Sequence, residues 1–160
     1  NGGLQAAEKI GVPMRAGVEL ANQSTTLQFE NWSLPIVSLQ EVEKMTTEGD
    51  GVIIDVRDAY RYLGESEPID LVAGHIPGAI NIPFGENLDD DNCFLSPEIL
   101  KNKYKEILKE GKSENVVIHC GSGVTACHTL LAMDYAGLPI PSLYVGSWSE
   151  WSRNDLPMIP

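Results

Sequence analysis

Positive charge is what this 160-residue chain most lacks, with 11 Lys and Arg against 23 Asp and Glu and a net charge of −12 at neutral pH. Phosphate backbones and anionic membranes are gripped by clustered Lys and Arg, so neither nucleic acid nor membrane is expected as a partner. Apolar runs of bilayer length are missing, and so is a secretory signal with a basic leading segment. Only three cysteines occur, Cys93, Cys120 and Cys127. A disulfide framework would use a denser, even set in a shorter secreted chain. A reducing intracellular compartment, cytoplasmic or mitochondrial, is therefore expected. The first residue is Asn rather than Met, so the native N-terminus and any targeting segment are expected to lie upstream.

Hydrophobic residues make up 42% and charged residues 21%, ordinary values for a globular protein. The length suits one α/β domain with a short extra segment. Glu86 and Asp89-Asp90-Asp91 read as a solvated loop. Ser38-Leu39-Gln40-Glu41 is a capping box opening a helix through Met45. Val52-Ile53-Ile54-Asp55-Val56 is an apolar run broken only by Asp55, as in a strand buried on both faces. Ala79-Ile80-Asn81-Ile82 reads as another strand, stopped by Pro83. Ser96-Pro97-Glu98 caps a helix running to about Glu110, with Ile99, Leu100, Tyr104, Ile107 and Leu108 at helical spacing. Next come a strand over 116–119, a helix from about Thr125 to Gly137, and a last strand, Leu143-Tyr144-Val145. Strands alternating with helices predict a parallel sheet covered on both faces, with reactive residues at the C-terminal strand ends.

One internal echo stands out. Residues 2–14 align without gaps on residues 146–158, each reading as a Gly turn, a short helix, and an apolar-Pro-Met exit. Residues 1–25 are accordingly expected to be the tail of an upstream copy of the domain plus a linker, and residues 26–160 the domain itself.

At Cys120 a buried strand meets a Gly/Ser turn and then a helix. A cysteine thiol, with an ordinary pKa of about 8.5, is favoured as thiolate at helix N-termini and near cations. Gly121 and Gly123 let successive N–H groups converge into an anion-binding nest, and the helix adds its positive end. Such a cradle suits a thiolate, a phosphate or a persulfide. Cysteine phosphatases place Arg six residues after the cysteine to clamp phosphate oxygens; that position is Ala126, which argues against phosphoester hydrolysis. Zinc is not expected, because His119, Cys120, Cys127 and His128 lack the usual ligand spacing and strand neighbours point to opposite faces. Cys127 is expected to pack as a small core residue.

The loop Cys120-Gly121-Ser122-Gly123-Val124-Thr125-Ala126-Cys127 resembles the active-site loop of the rhodanese-type sulfurtransferases, in their 3-mercaptopyruvate sulfurtransferase branch. Similar to that family too are Ile54-Asp55-Val56-Arg57, Gly74-His75-Ile76-Pro77-Gly78-Ala79-Ile80-Asn81-Ile82-Pro83-Phe84 and Gly146-Ser147-Trp148-Ser149-Glu150-Trp151. The resemblance implies a rhodanese-like α/β domain, the C-terminal catalytic one of a tandem protein. It also implies sulfur transfer in two half-reactions through a Cys120 persulfide, by covalent catalysis without metal or cofactor. The donor would be 3-mercaptopyruvate or thiosulfate; the acceptor would be a thiol, cyanide or a thioredoxin-like protein. The alternative is a sulfur-relay module loaded by a partner protein. The backbone of Gly121, Ser122, Gly123, Val124 and Thr125 would hold the anionic sulfur. Ser122 would relay a proton or bond a donor carbonyl, and Arg61 matches the arginine near the donor carboxylate. The family's second arginine follows a Glu-Pro pair, whereas here Glu67-Pro68 is followed by Ile69, in a loop one residue shorter. Arg57 is expected to pair with a structural carboxylate, His75 to fix a turn, and Trp148 and Trp151 to pack in the core.

Overall fold

The computed structural model describes residues 1–18, 33–108 and 115–160. Its centre is β4 (Val116–His119), all four residues of which are buried. Around it β1 (Ile36–Val37), β2 (Val52–Asp55), β3 (Ile80–Asn81) and β5 (Ser142–Tyr144) complete one parallel sheet in the order β1-β5-β4-β2-β3. Ile54 pairs with Ile118, and Ile118 with Leu143. Side chains alternate across a strand, and here the alternation builds two cores. Ile54, Val116, Ile118 and Leu143 face one side, where α4 (Pro97–Tyr104) supplies Leu100 and Tyr104, and α5 (Val124–Tyr135) supplies Ala126, Ala132 and Met133. Ile53, Val117 and Tyr144 face the other, against Val42 of α2 (Leu39–Glu48) and Trp148 and Trp151 of α6 (Ser147–Trp151). The parallel sheet with helices on both faces is as the sequence predicts.

Local signals explain the helix starts. Ser38 Oγ accepts the Glu41 N–H at 3.3 Å, while the Glu41 carboxylate accepts the Ser38 N–H at 2.7 Å, and α2 runs on past Met45 to Glu48. Ser96 Oγ accepts the Ile99 N–H at 3.4 Å, with Pro97 in the first turn of α4. Regular helix ends at Tyr104, and a run of turns carries the chain to Leu108, so Ile99 is exposed while Leu100, Tyr104 and Leu108 are buried. The expected end near Glu110 lies outside the described residues, as do the boundary at residues 25 and 26 and most of the proposed linker. Two short elements carry no sequence signal: β1, and α3 (Ala59–Tyr62) directly after β2. At the N-terminus α1 (Gly3–Lys9) lies against the acidic loop, where Lys9 Nζ pairs with Asp91 at 3.1 Å and the Phe94 N–H donates to Asn1 Oδ1.

Cys127 corrects an expectation. The buried positions of α5 are Ala126, Thr129, Ala132 and Met133, one helical face. Cys127 is rotated about 100° from Ala126 and is exposed, lining an apolar recess with Ile36, Leu130, Leu131 and Leu143. Among the described residues no helix is long and apolar enough to cross a membrane.

Because Ile118 is fully buried at the middle of the sheet, Ile118→Ala is expected to destabilise the fold by about 2–5 kcal/mol. Urea unfolding should show a lower midpoint at unchanged slope.

Candidate active site

β4 delivers Cys120 to the C-terminal edge of the sheet, where its side chain leaves the face opposite to that of His119. Cys120 is only 2% exposed. Its peptide is clamped from both sides by the start of α6. The Cys120 N–H donates to Ser147 Oγ at 3.2 Å, and the Cys120 carbonyl accepts the Trp148 N–H at 3.0 Å. The Gly121 carbonyl accepts the Ser149 N–H at 2.8 Å, and Ser147 Oγ donates to the Tyr144 carbonyl at 2.9 Å. Three successive residues can face the loop because Ser147 adopts a left-handed backbone, φ 54°. Such a conformation costs a non-glycine residue about 1–2 kcal/mol, offset here by the hydrogen bonds it aligns.

The loop then turns at Gly123, φ 83°, where a Cβ would stand 3.0 Å from the Val145 carbonyl oxygen. α5 starts at once, with no side-chain cap. Among the described residues no acceptor is assigned to the N–H groups of Gly121 through Ala126. They include the unsatisfied donors of the first helical turn, at the positive end of the helix dipole. The arrangement suits a negative charge held on main-chain donors.

A cavity of about 140 Å³ opens there, lined by Arg61, Ile69, Cys120, Gly121, Ser122, Val124, Thr125 and Ser149. Every site residue expected from sequence lines it except Gly123, which shapes the turn. Ile69 is 74% exposed at the cavity.

Beside the cavity runs a ladder of buried charges. Arg57 donates from Nε and Nη2 to Asp55 (3.0 and 2.6 Å), from Nη2 to the Gly74 carbonyl (2.7 Å), and from Nη1 to Glu67 (3.2 Å). Glu67 also accepts Arg61 Nε and Nη2 (3.0 and 2.6 Å) and the N–H groups of Ile69 and Asp70 (3.0 and 3.1 Å). Asp70 accepts Arg61 Nη2 at 3.3 Å on one oxygen and the Ser149 hydroxyl at 2.5 Å on the other, which lies 3.7 Å from Arg153 Nη1. Arg57 thus pairs with the carboxylate at its strand end, as expected, and its guanidinium lies 4.8 Å from the Trp148 ring. Burial alone would raise the Glu67 pKa, but the hydrogen bonds from Arg61, Asp70 and Ile69 and the Arg61 charge hold it below the usual carboxylate range. Burial pulls Arg61 down, yet Glu67 and Asp70 lift it above its ordinary value.

His119 is fully buried. Its Nε2 has no hydrogen-bond partner among the described residues and lies 3.8 Å from Asp55. Burial holds its pKa below the ordinary imidazole value despite the nearby Asp55 carboxylate. His75 fixes a turn: Nδ1 bonds the Tyr62 carbonyl at 2.8 Å and the ring stacks on Tyr62 at 3.8 Å. Trp148 and Trp151 are fully buried, and the Trp148 indole N–H donates to the Val72 carbonyl at 2.8 Å. Among the described residues no three His, Cys, Asp or Glu side chains cluster as metal ligands do. Glu67, Asp70, Ser147 and Ser149 escaped the sequence reading. Glu67 opens the Glu-Pro pair, Asp70 follows two residues after it, and Ser147 and Ser149 lie in Gly146-Ser147-Trp148-Ser149, but only the fold shows what they touch.

The family model for the Rhodanese-like domain matches residues 38–154. A Pseudomonas aeruginosa protein named "Probable 3-mercaptopyruvate sulfurtransferase" is 39% identical over 151 residues, 94% of this chain and 53% of its own length. Thiosulfate sulfurtransferase from Mus musculus is 34% identical over 160 residues, 98% of this chain and 53% of its own length. The structure of 3-mercaptopyruvate sulfurtransferase from Leishmania major superimposes with a TM-score of 0.74 at 30% identity, covering 96% of this chain and 42% of that one. The chain therefore spans about half the length of these curated relatives.

Acidification tests the charge ladder. A histidine or carboxylate with a depressed folded pKa binds fewer protons folded than unfolded, so stability falls as pH drops from the unfolded pKa through the folded one. Stability is expected to decline first below about pH 6.5, through His119, and again below the carboxylate range, through Glu67. Glu67→Gln should flatten the second decline while lowering stability at neutral pH, as read by urea midpoints across pH.

Proposed function

The chain belongs to the rhodanese-like domain family, and on that premise we propose that it is a sulfurtransferase whose nucleophile is Cys120. The observation that carries this reading is the position of Cys120 in a small cavity that Gly121, Ser122, Val124 and Thr125 also line, at the N-terminus of α5, with no acceptor assigned to their N–H groups among the described residues. In the first half-reaction the Cys120 thiolate attacks the sulfur of a small donor. With 3-mercaptopyruvate the carbon–sulfur bond breaks, and pyruvate leaves as an enolate that takes up a proton. With thiosulfate the sulfur–sulfur bond breaks and sulfite leaves. Either way Cys120 becomes a persulfide, its negative charge held by main-chain donors. In the second half-reaction a thiolate acceptor, cyanide or a thioredoxin-like thiol attacks the outer sulfur and returns Cys120 as thiolate. No cofactor takes part in these steps. Ser122, exposed at the cavity, offers its hydroxyl to the donor carbonyl or to the departing enolate, and Arg61 offers a guanidinium nitrogen to the donor carboxylate. A reducing compartment, cytoplasmic or mitochondrial, keeps the thiol available.

The same reading makes residues 1–25 the tail of an upstream rhodanese-like domain and a linker. One correspondence supports it beyond sequence: Gly3 and Ser147, aligned in the echo, both have left-handed backbones, φ 62° and 54°. A second reading, a relay module loaded by a partner protein, is favoured by the exposed apolar side chains of Ile69 and Val124 at the cavity mouth.

Incubation with 3-mercaptopyruvate or thiosulfate is expected to add the mass of one sulfur atom at Cys120, and none in Cys120→Ser. Absence of that gain with either donor, or activity surviving Cys120→Ser, rejects the sulfurtransferase reading. Sulfur gained only from a persulfidated partner protein would favour the relay.

A further inference from the structure

Arg61 is the one cation lining the Cys120 cavity among the described residues. Its guanidinium lies against Gly121, where a Cβ would sit in ordinary contact 3.4 Å from Arg61 Nη2, 3.6 Å from Asp70 Oδ2 and 3.7 Å from Arg61 Nη1. Its donors are unequally spent. Nε and Nη2 are held by Glu67, and Nη2 also by Asp70, whereas Nη1 has no assigned partner among the described residues. A free guanidinium edge takes two oxygens of an anion side by side; a single free nitrogen takes one. The charges around it cancel: Arg57, Arg61 and Arg153 stand against Asp55, Glu67 and Asp70. No second cation is supplied from the loop, since Ile69 is apolar. Apart from the main-chain cradle, the side chains therefore offer direction to an anionic donor but little net attraction.

We propose that Asp70 sets the charge preference of the donor site: by bonding Arg61 Nη2 beside the cavity wall at Gly121 it favours singly charged sulfur donors over doubly charged ones. This rests on Cys120 being the sulfur-accepting nucleophile. A doubly charged donor bonded to Arg61 Nη1 brings its second charge towards the Asp70 carboxylate, where like charges oppose each other. Asp70 is well placed to be a permanent competitor. Its side chain is 1% exposed, and the Ser149 hydroxyl and Arg153 hold its outer oxygen. Arg153, half exposed and also bonded to the Ser149 carbonyl, tempers the carboxylate from outside. Removing the two partners should therefore push the preference in opposite directions.

The test is the steady-state kinetics of the wild type, Asp70→Asn and Arg153→Gln with thiosulfate as the doubly charged probe and 3-mercaptopyruvate as the singly charged one. Asp70→Asn is expected to lower the KM for thiosulfate roughly tenfold, about 1.4 kcal/mol of binding. It should lower that for 3-mercaptopyruvate by no more than about threefold, with kcat little changed. Arg153→Gln should raise the thiosulfate KM about threefold. Asp70→Glu, which keeps the charge, should keep the wild-type preference. A merely structural Asp70 would instead lose activity with both donors alike, and an unchanged KM ratio in Asp70→Asn overturns the proposal. If Asp70→Asn does not fold, an unchanged ratio in Arg153→Gln overturns it in its place. Protection of Cys120 from alkylation by sulfite or pyruvate, measured in the same variants, reads the charge preference without turnover. A wild type that accepts sulfur from neither donor would therefore sink the sulfurtransferase reading and still leave Asp70 tested.

Discussion

Glu67 is the joint on which the site hangs. Its buried carboxylate accepts from two guanidinium groups and two backbone amides at once. Through Arg57 it is tied to Asp55 and the end of β2; through Arg61 it is tied to α3 and the cavity. Arg57 in turn lies on Trp148, which opens the helix that clamps the Cys120 peptide. Buried charges cost several kcal/mol each to desolvate, so such a ladder adds little to stability over a well-packed apolar equivalent. What it supplies is position. One carboxylate fixes where the Arg61 cation stands relative to the Cys120 sulfur.

The two halves of the site are built from different material. The cysteine half is largely main chain: a strand end, a glycine turn, a helix start, two hydrogen bonds donated by α6 amides and one accepted by the Ser147 hydroxyl. The donor half is side-chain charge on the loop from Arg57 to Asp70. The main-chain half constrains sequence at Gly123 and Ser147, where a left-handed backbone, and at Gly123 the Val145 carbonyl as well, leave few choices. The charge half rests on side chains, and Ile69, exposed at the cavity, adds no charge to it. On the proposed function, changes in the charge half would alter donor choice without touching the main-chain cradle.

Legibility in the sequence followed the range of the forces. β2, β4 and the capped starts of α2 and α4 were plain because runs of apolar residues and local capping are nearest-neighbour effects. The cysteine loop was readable for the same reason. β1 is two residues long and is a strand only because Leu143 and Tyr144 stand beside it. Cys127 faces outward because the core claims Ala126 and Thr129, a choice made by packing rather than by its own polarity. Arg61 could be matched to a donor-binding position from its motif. Its engagement by Glu67 and Asp70 depends on a loop closing over α3, which no local pattern announces.

Cys120 follows directly on a strand paired along both edges and is held by its own peptide, so its backbone cannot swing. A sulfur bonded to it extends only about 2 Å beyond Sγ. Long flexible arms let other carriers collect a group at one station and deliver it at another. If Cys120 is the carrier we propose, it has no such reach. Donor and acceptor would have to visit one mouth in turn, each leaving before the other arrives, the order of visits imposed by the length of a single bond.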